Sequence, residues 1–247
     1  MNSLEVRKKT ITNIHESEFK FVIVSSGGGS NAIGSLLKVP GASNSILEAY
    51  IPYAKESLDF YLMKKPESYC SLDTTTRMAA RAYSAAKKID QKTNIEQLFG
   101  VAISATLSTN YEKKGSHRFH IAVQTRDFSQ SISCILNKGQ RTREEEEELV
   151  TEFVIALISD CCGFEFKYPE IKEDVEHIQI PAQKGWADLM SEKIKFVTSS
   201  NQQPKLIFPG AFNPMHDGHI AMSELANKEL SEEVFFEICI QNVDKPP

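Results

Sequence analysis

No C-x-x-C spacing occurs among the five cysteines of this 247-residue chain, Cys70, Cys134, Cys161, Cys162 and Cys239. That absence argues against a zinc site or a disulfide framework, and the thiols read as reduced and mostly buried. The adjacent pair Cys161–Cys162, just before Gly163, reads as the end of a helix. No apolar run approaches the ~18 residues of a membrane-spanning helix. No charged-then-apolar signal opens the sequence either, which sets the expectation of a cytoplasmic chain without a membrane partner. A basic stripe with interleaved aromatics is also missing, and with a formal net charge of −5 nucleic acid is not an expected partner. Internal repeats and low-complexity segments are absent. What is present is a 41% hydrophobic fraction, enough for ordinary globular cores, in a length that suits one or two domains.

Along the chain, residues 1–17 are polar and suggest a loose arm or a short helix. Phe19–Val24 is an apolar, β-branched run, the pattern of a buried strand, and it opens directly into Ser25–Ser30. Ser45–Ala49 and Lys55–Met63 pattern as helices, and the Ala-rich Asp73–Lys88, with Thr at its entry, as a longer one. Phe99–Thr106 is the next strand, and His117–Thr125 with Phe128–Leu136 predicts a hairpin turning at Arg126–Asp127. A helix follows with Glu144–Glu148 in its first turns, read as a solvated face favoured by the helix dipole, and Leu149, Phe153, Ala156 and Leu157 on one side. Strands mixed with long helices predict an α/β domain over residues 18–165. Residues 166–203, holding Pro169, Pro181 and the polar stretch Ser199–Gln203, read as a linker with a helical patch near Gly185–Phe196.

Residues 204–247 carry the densest motif, FPGAFNPMHDGH from Phe208 to His219, where the short apolar strand Lys205–Phe208 runs into a helix over Asp217–Leu230. Gly210 permits a sharp turn, Pro214 stiffens it, and Gly218 removes a side chain where a phosphate would approach the backbone. The unpaired N–H groups of the helix's first turn favour an anion there. His216 and His219 lie three apart and face the same way, two imidazole donors able to stabilise charge building on an α-phosphate during in-line attack. An ordinary helix cap or a two-histidine metal pair are the alternative readings of the same residues.

The pattern G-x-F-[ND]-P-x-H-x-G-H, filled here by Gly210, Phe212, Asn213, Pro214, His216, Gly218 and His219, resembles the first motif of the adenylyl/cytidylyltransferase superfamily. The resemblance implies nucleotidyl transfer in which His216 and His219 contact a nucleoside triphosphate while Gly210, Phe212, Asn213 and Gly218 lie along the nucleotide. Mg²⁺ would offset the phosphate charge. It covers only the first strand, the helix and the strand Val234–Ile240, and the superfamily's later Ser/Thr- and Arg-bearing motif has no counterpart. The expectation is half an active site on an incomplete Rossmann-like segment, whose unfinished sheet leaves an edge for another copy of the chain.

In the first domain, Gly27, Gly28 and Gly29 are flanked by Ser25, Ser26 and Ser30, so the backbone is open to a close approach by a phosphate or nucleotide, a flexible turn being the plainer meaning. Together with VPGAS (Val39–Ser43), Pro52–Tyr53 and the segment GVAISATLSTNYEKKGSHRFHIAV, this region is similar to the CinA carboxy-terminal domain family over residues 20–165. The resemblance implies an α/β/α fold and a pyridine-nucleotide ligand, since that family includes a nicotinamide mononucleotide deamidase. Carried over by position, Ser26 matches the motif serine, Gly29 and Ser30 its two glycines, and Tyr53 the tyrosine. The family lysine is replaced by Leu58, with Lys55 three residues earlier. A serine needs a base to lose its proton, so three readings stand: nucleotidyl transfer, amide hydrolysis by Ser26 with Tyr53, and nucleotide binding or assembly without catalysis. Arg118 and His120 share one strand face and His117 the other, able to hold a phosphate or to sit at the core edge.

Overall fold

A computed structural model describes residues 3–111, 113–164, 167–191, 193–212 and 214–238. The chain divides into two compact units, Met1–Lys195 and Phe196–Pro247.

The first unit is a six-stranded mixed sheet between two helical layers. Its strands are β1 (Lys20–Gly27), β2 (Ile46–Tyr50), β3 (Leu98–Thr106), β4 (His117–Gln124), β5 (Phe128–Leu136) and β6 (Val175–Pro181), in the order β2-β1-β3-β4-β5-β6. β2, β1 and β3 run parallel, and β3 to β6 are successively antiparallel. One face packs against α1 (Ser3–Glu16), α2 (Asn31–Lys38) and α5 (Arg143–Cys161), with Phe21, Ile23, Phe99, Ile103, Phe119 and Ile121 pointing that way. The alternate residues Val22, Val24, Ala102 and Ala122 meet α3 (Lys55–Leu62) and α4 (Leu72–Ile89) on the other.

α4 begins where the Ser71 hydroxyl accepts the Thr74 N–H at 3.3 Å, and Met78, Ala79, Ala82 and Ala86 form its sheet-facing stripe. Gly100 lets that helix lie close to the sheet, since a Cβ there would come within 2.2 Å of the Tyr83 nitrogen. α5 starts with a capping box, Thr142 accepting the Glu145 N–H at 3.2 Å and Glu145 accepting the Thr142 N–H at 2.7 Å.

Several sequence expectations are corrected here. Of the two readings of the amino-terminal segment, loose arm or short helix, the helix is the one formed: residues 3–16 dock because Ile11 and Ile14 reach the core and Arg7 pairs with Glu148 and Glu152. Ser45–Ala49 is not helical; Ile46–Tyr50 forms β2 on a ladder with β1, which local pattern does not reveal in so short a stretch. Val175–Pro181, read as linker, extends the sheet beyond β5. α5 is buried from Val150 to Ile158 on nearly every side, so its apolar surface is no single stripe. Nor is the acidic run merely a solvated face, since Glu146 is 0% exposed. A short helix, α6 (Lys184–Met190), overlaps the first part of the predicted helical patch, which extends to Phe196.

The second unit contains β7 (Leu206–Gly210), α7 (Asp217–Leu230) and β8 (Val234–Ile238), with β7 and β8 paired in parallel and the helix between them in sequence. Among the described residues no α7 side chain is buried. No helix of the described chain is long and apolar enough to cross a membrane.

Candidate functional site

The chain passes from β1 through α2 to β2 on one side, then through α3 and α4 to β3 on the other, so the strand order reverses between β1 and β3. In open α/β sheets a ligand crevice forms at the carboxyl ends of the strands flanking such a reversal. Ser26, Gly27, Gly28, Gly29 and Ser30 are all at that point, beside Ser104–Thr106 of β3.

A polar row crosses the sheet there. Ser26 is the register partner of Ser104, Ser104 of His120, and His120 of Ser133. Ser104 is fully buried, its hydroxyl 2.7 Å from Thr75 Oγ1 and 3.7 Å from Cys70 Sγ. His120 Nδ1 lies 2.8 Å from Ser133 Oγ. Burial, and then the charge of Arg118, push the His120 imidazole below its ordinary range. The buried Arg118 Nε has no hydrogen-bond partner. Ser104, Thr75 and Cys70 were not singled out from sequence, because only the β1–β3 register sets Ser104 beside Ser26 and only tertiary packing brings Thr75 and Cys70 to Ser104.

The hydroxyl of Ser26 donates to the Pro52 carbonyl at 3.0 Å. Tyr53, next in the chain, is 69% exposed. Leu58 is 1% exposed and sits in the core with Val22, Val24 and Met78. Lys55 is on the surface, its ammonium 5.5 Å from the centre of the Tyr69 ring, so it does not enter the space Leu58 fills.

The glycine segment is packed against the protein itself. A Cβ on Gly27, whose φ is +84°, would lie 2.0 Å from the Ala105 oxygen; on Gly29, at φ +86°, one would lie 2.6 Å from Ile103 Cγ2. At the start of α2, the Asn31 N–H donates to Glu147 Oε1 at 3.1 Å and the Ser30 hydroxyl reaches the same oxygen at 3.4 Å. The neighbouring Glu146 accepts the Ser108 N–H at 2.6 Å and lies 2.7 Å from His117 Nδ1. His117 therefore belongs to a buried pair on the α5 side, opposite His120. A separate open groove on this unit, lined by Arg7, Arg141, Glu148 and Lys167 among others, contains none of the sequence-predicted site residues.

In the second unit, His216 and His219 do face the same way: their rings stack with centroids 3.7 Å apart. The His216 N–H donates to His219 Nδ1 at 3.3 Å, so the pair also serves as part of a helix cap. Phe212, at φ +45°, joins an aromatic cluster with Phe208, His219 and Phe236. A Cβ on Gly210 would lie 2.7 Å from that Phe212 ring. His216 and Gly218 are exposed, while Asn213 lies outside the described residues. Among the described residues no group of three or more His, Cys, Asp or Glu side chains gathers as a protein-held metal would need.

Three solved structures share the architecture. One is a competence-damaged protein (CinA) superfamily protein from Klebsiella pneumoniae, 13% identical, with a TM-score of 0.52, over 66% of this chain and 99% of that one. Another is a competence or damage-inducible protein from Enterobacter asburiae, 15% identical, at 0.52, over 66% and 99%. The third is a CinA superfamily protein from Enterobacter cloacae, 14% identical, at 0.51, over 65% and 93%. The chain carries a CinA-like α/β fold. At these identities the likeness is one of fold, and it leaves about a third of the chain uncovered. No protein-family model and no curated protein matches the sequence. The nucleotidyltransferase likeness rests on the residue pattern 210–219 alone.

Proposed function

We propose that the first unit binds a pyridine-nucleotide-type small molecule at the carboxyl ends of β1 and β3 without hydrolysing it through Ser26. The observation that carries this reading is Leu58 in the core at the position where the CinA-like resemblance calls for a lysine. Serine attacks an amide only when a base removes its proton. Here the Ser26 hydroxyl donates to a backbone carbonyl, and Lys55 is turned to Tyr69. Ser26, partly exposed at the strand reversal, heads the polar row that runs to Ser133 and supports a polar ligand at that end; Ser104 within the row is buried and bonded to Thr75. The test is titration of the full chain with nicotinamide riboside and nicotinamide mononucleotide, following heat and ammonia. Binding without ammonia is expected; ammonia release abolished by Ser26→Ala would replace this reading with the deamidase-like one.

A second reading, nucleotidyl transfer, is favoured by the paired imidazoles at the start of α7. Because His219 Nδ1 accepts a backbone N–H, the proton of the neutral ring sits on Nε2 as a donor directed away from that contact. That donor, the His216 ring and the positive end of the helix dipole suit a polyphosphate. In the reaction a phosphate oxygen of the acceptor bonds to the α-phosphorus of ATP or CTP and the bond to pyrophosphate breaks. Mg²⁺ would be held mainly by the nucleotide's phosphates, Asp217 being the carboxylate in the first turn of α7. Saturable binding of ATP or CTP that His216→Ala and His219→Ala each weaken supports the reading; equal binding by all three proteins rejects it.

A further inference from the structure

We propose that Glu147 sets the ligand class of the candidate site at the β1–β3 reversal: it supplies from within the chain the anion that a glycine segment and helix start otherwise take from a phosphate. The site then takes unphosphorylated nucleosides and small amides in preference to mononucleotides. This rests on the ligand-binding reading given above, and it narrows the ligand.

The geometry carries the inference in three ways. First, the donors that would greet a phosphate are engaged: the Asn31 N–H and the Ser30 hydroxyl both point to Glu147 Oε1, at 3.1 and 3.4 Å. Second, the space that a glycine leaves open is filled by the protein. A Cβ on Gly28 would lie 2.5 Å from Leu107 Cδ1 and 3.1 Å from Glu147 Oε2, so a leucine methyl and, beside it, a carboxylate oxygen stand where a ligand would approach the backbone. Third, that oxygen is buried and has no hydrogen-bond partner, and Arg143 Nη2, 3.9 Å away, is the nearby cation. A phosphate placed at this corner would meet a fixed negative group, whereas a neutral ligand would not be repelled by it. Gly27 and Gly29 do not widen the corner, since their missing side chains are taken up by close packing on β3 and α5.

The experiment compares the wild-type chain with Glu147→Ala and Glu147→Gln. Inorganic phosphate is followed by phosphorus NMR, and the nicotinamide riboside/mononucleotide pair by calorimetry. Wild type should show no saturable phosphate binding, Glu147→Ala should gain it, and Glu147→Gln should move in the same direction. The riboside should bind wild type at least about tenfold more tightly than the mononucleotide, and either substitution should shrink that ratio. Thermal melts establish that each variant is folded, and Glu147→Gln, which keeps the shape and an accepting oxygen, decides if Glu147→Ala unfolds. Mononucleotide binding by wild type equal to that of the riboside, or phosphate binding unchanged in a folded variant, overturns the proposal. If neither nicotinamide compound binds any of the proteins, the ligand-binding reading fails, while the phosphate titration still reports on Glu147.

Discussion

His117 Nδ1 and Glu146 Oε1 are 2.7 Å apart, and both side chains are shut away from water. The pair ties β4 to the first turns of α5, and the second carboxylate oxygen is held by the Ser108 N–H. Removing one member of a buried pair leaves the other uncompensated. Glu146→Ala should therefore cost on the order of 3–5 kcal/mol of folding free energy. Glu146→Gln, which keeps an accepting oxygen, should cost less. Urea unfolding measures both, and an alanine variant as stable as wild type would mean that this pair does not form.

Arg141 and Glu173 give a pH dependence with a defined sign. Hydrogen bonds from the Arg141 guanidinium, at 2.6 and 3.0 Å, hold the Glu173 carboxyl at about 2, well below its ordinary 4.5. The unfolded chain thus takes up a proton at this site at higher pH than the folded one does. The stabilisation is complete above about 4.5 and is lost as pH falls through about 2. Unfolding midpoints between pH 6 and pH 2.5 should drop less steeply in Arg141→Met than in wild type. Parallel curves for the two proteins would remove Glu173 from the explanation of acid sensitivity.

The second unit leaves apolar side chains uncovered, among them Ile207, Ile220, Met222, Leu225 and Ile238. Among the described residues of this unit, two parallel strands and one helix offer little else to bury them against, and parallel strands ordinarily have both faces covered. Self-association of the full chain in solution is the expected outcome, rising with concentration and weakened by Leu225→Glu. Light scattering that shows a strict monomer at every concentration, with no effect of the substitution, would count against it.

The long elements were legible in the sequence because their patterns are local. The Ala-rich α4, the β4–β5 hairpin and the Phe208–His219 turn each announce themselves within a dozen or so residues. β2 and β6 did not, since Ile46–Tyr50 and Val175–Pro181 become strands through partners far away in the chain. The candidate site was half visible for the same reason. Ser26 and the three glycines stand out as a segment, but Ser104, Thr75 and Glu147 reach them only through register and packing. The acidic run misled because charge alone does not distinguish a solvated carboxylate from Glu146 in the core or from Glu147 of α5, whose carboxylate accepts from the start of α2.

Leu58 offers the most direct check on the catalytic reading. Its side chain lies among Val22, Val24, Tyr61 and Met78, between α3 and the sheet. A lysine there must either bury its ammonium, which burial drives toward the neutral form, or displace α3 to reach water. Leu58→Lys should accordingly destabilise the first unit by several kcal/mol, on the order of 4, without conferring amide hydrolysis. Chemical denaturation and an ammonia assay on nicotinamide mononucleotide read the two effects separately. If Leu58→Lys were as stable as wild type and released ammonia in a Ser26-dependent way, position 58 would face the crevice rather than the core. The wild-type chain would then carry a deamidase-type site that lacks only its base, and the account of Leu58 as a core residue would fall.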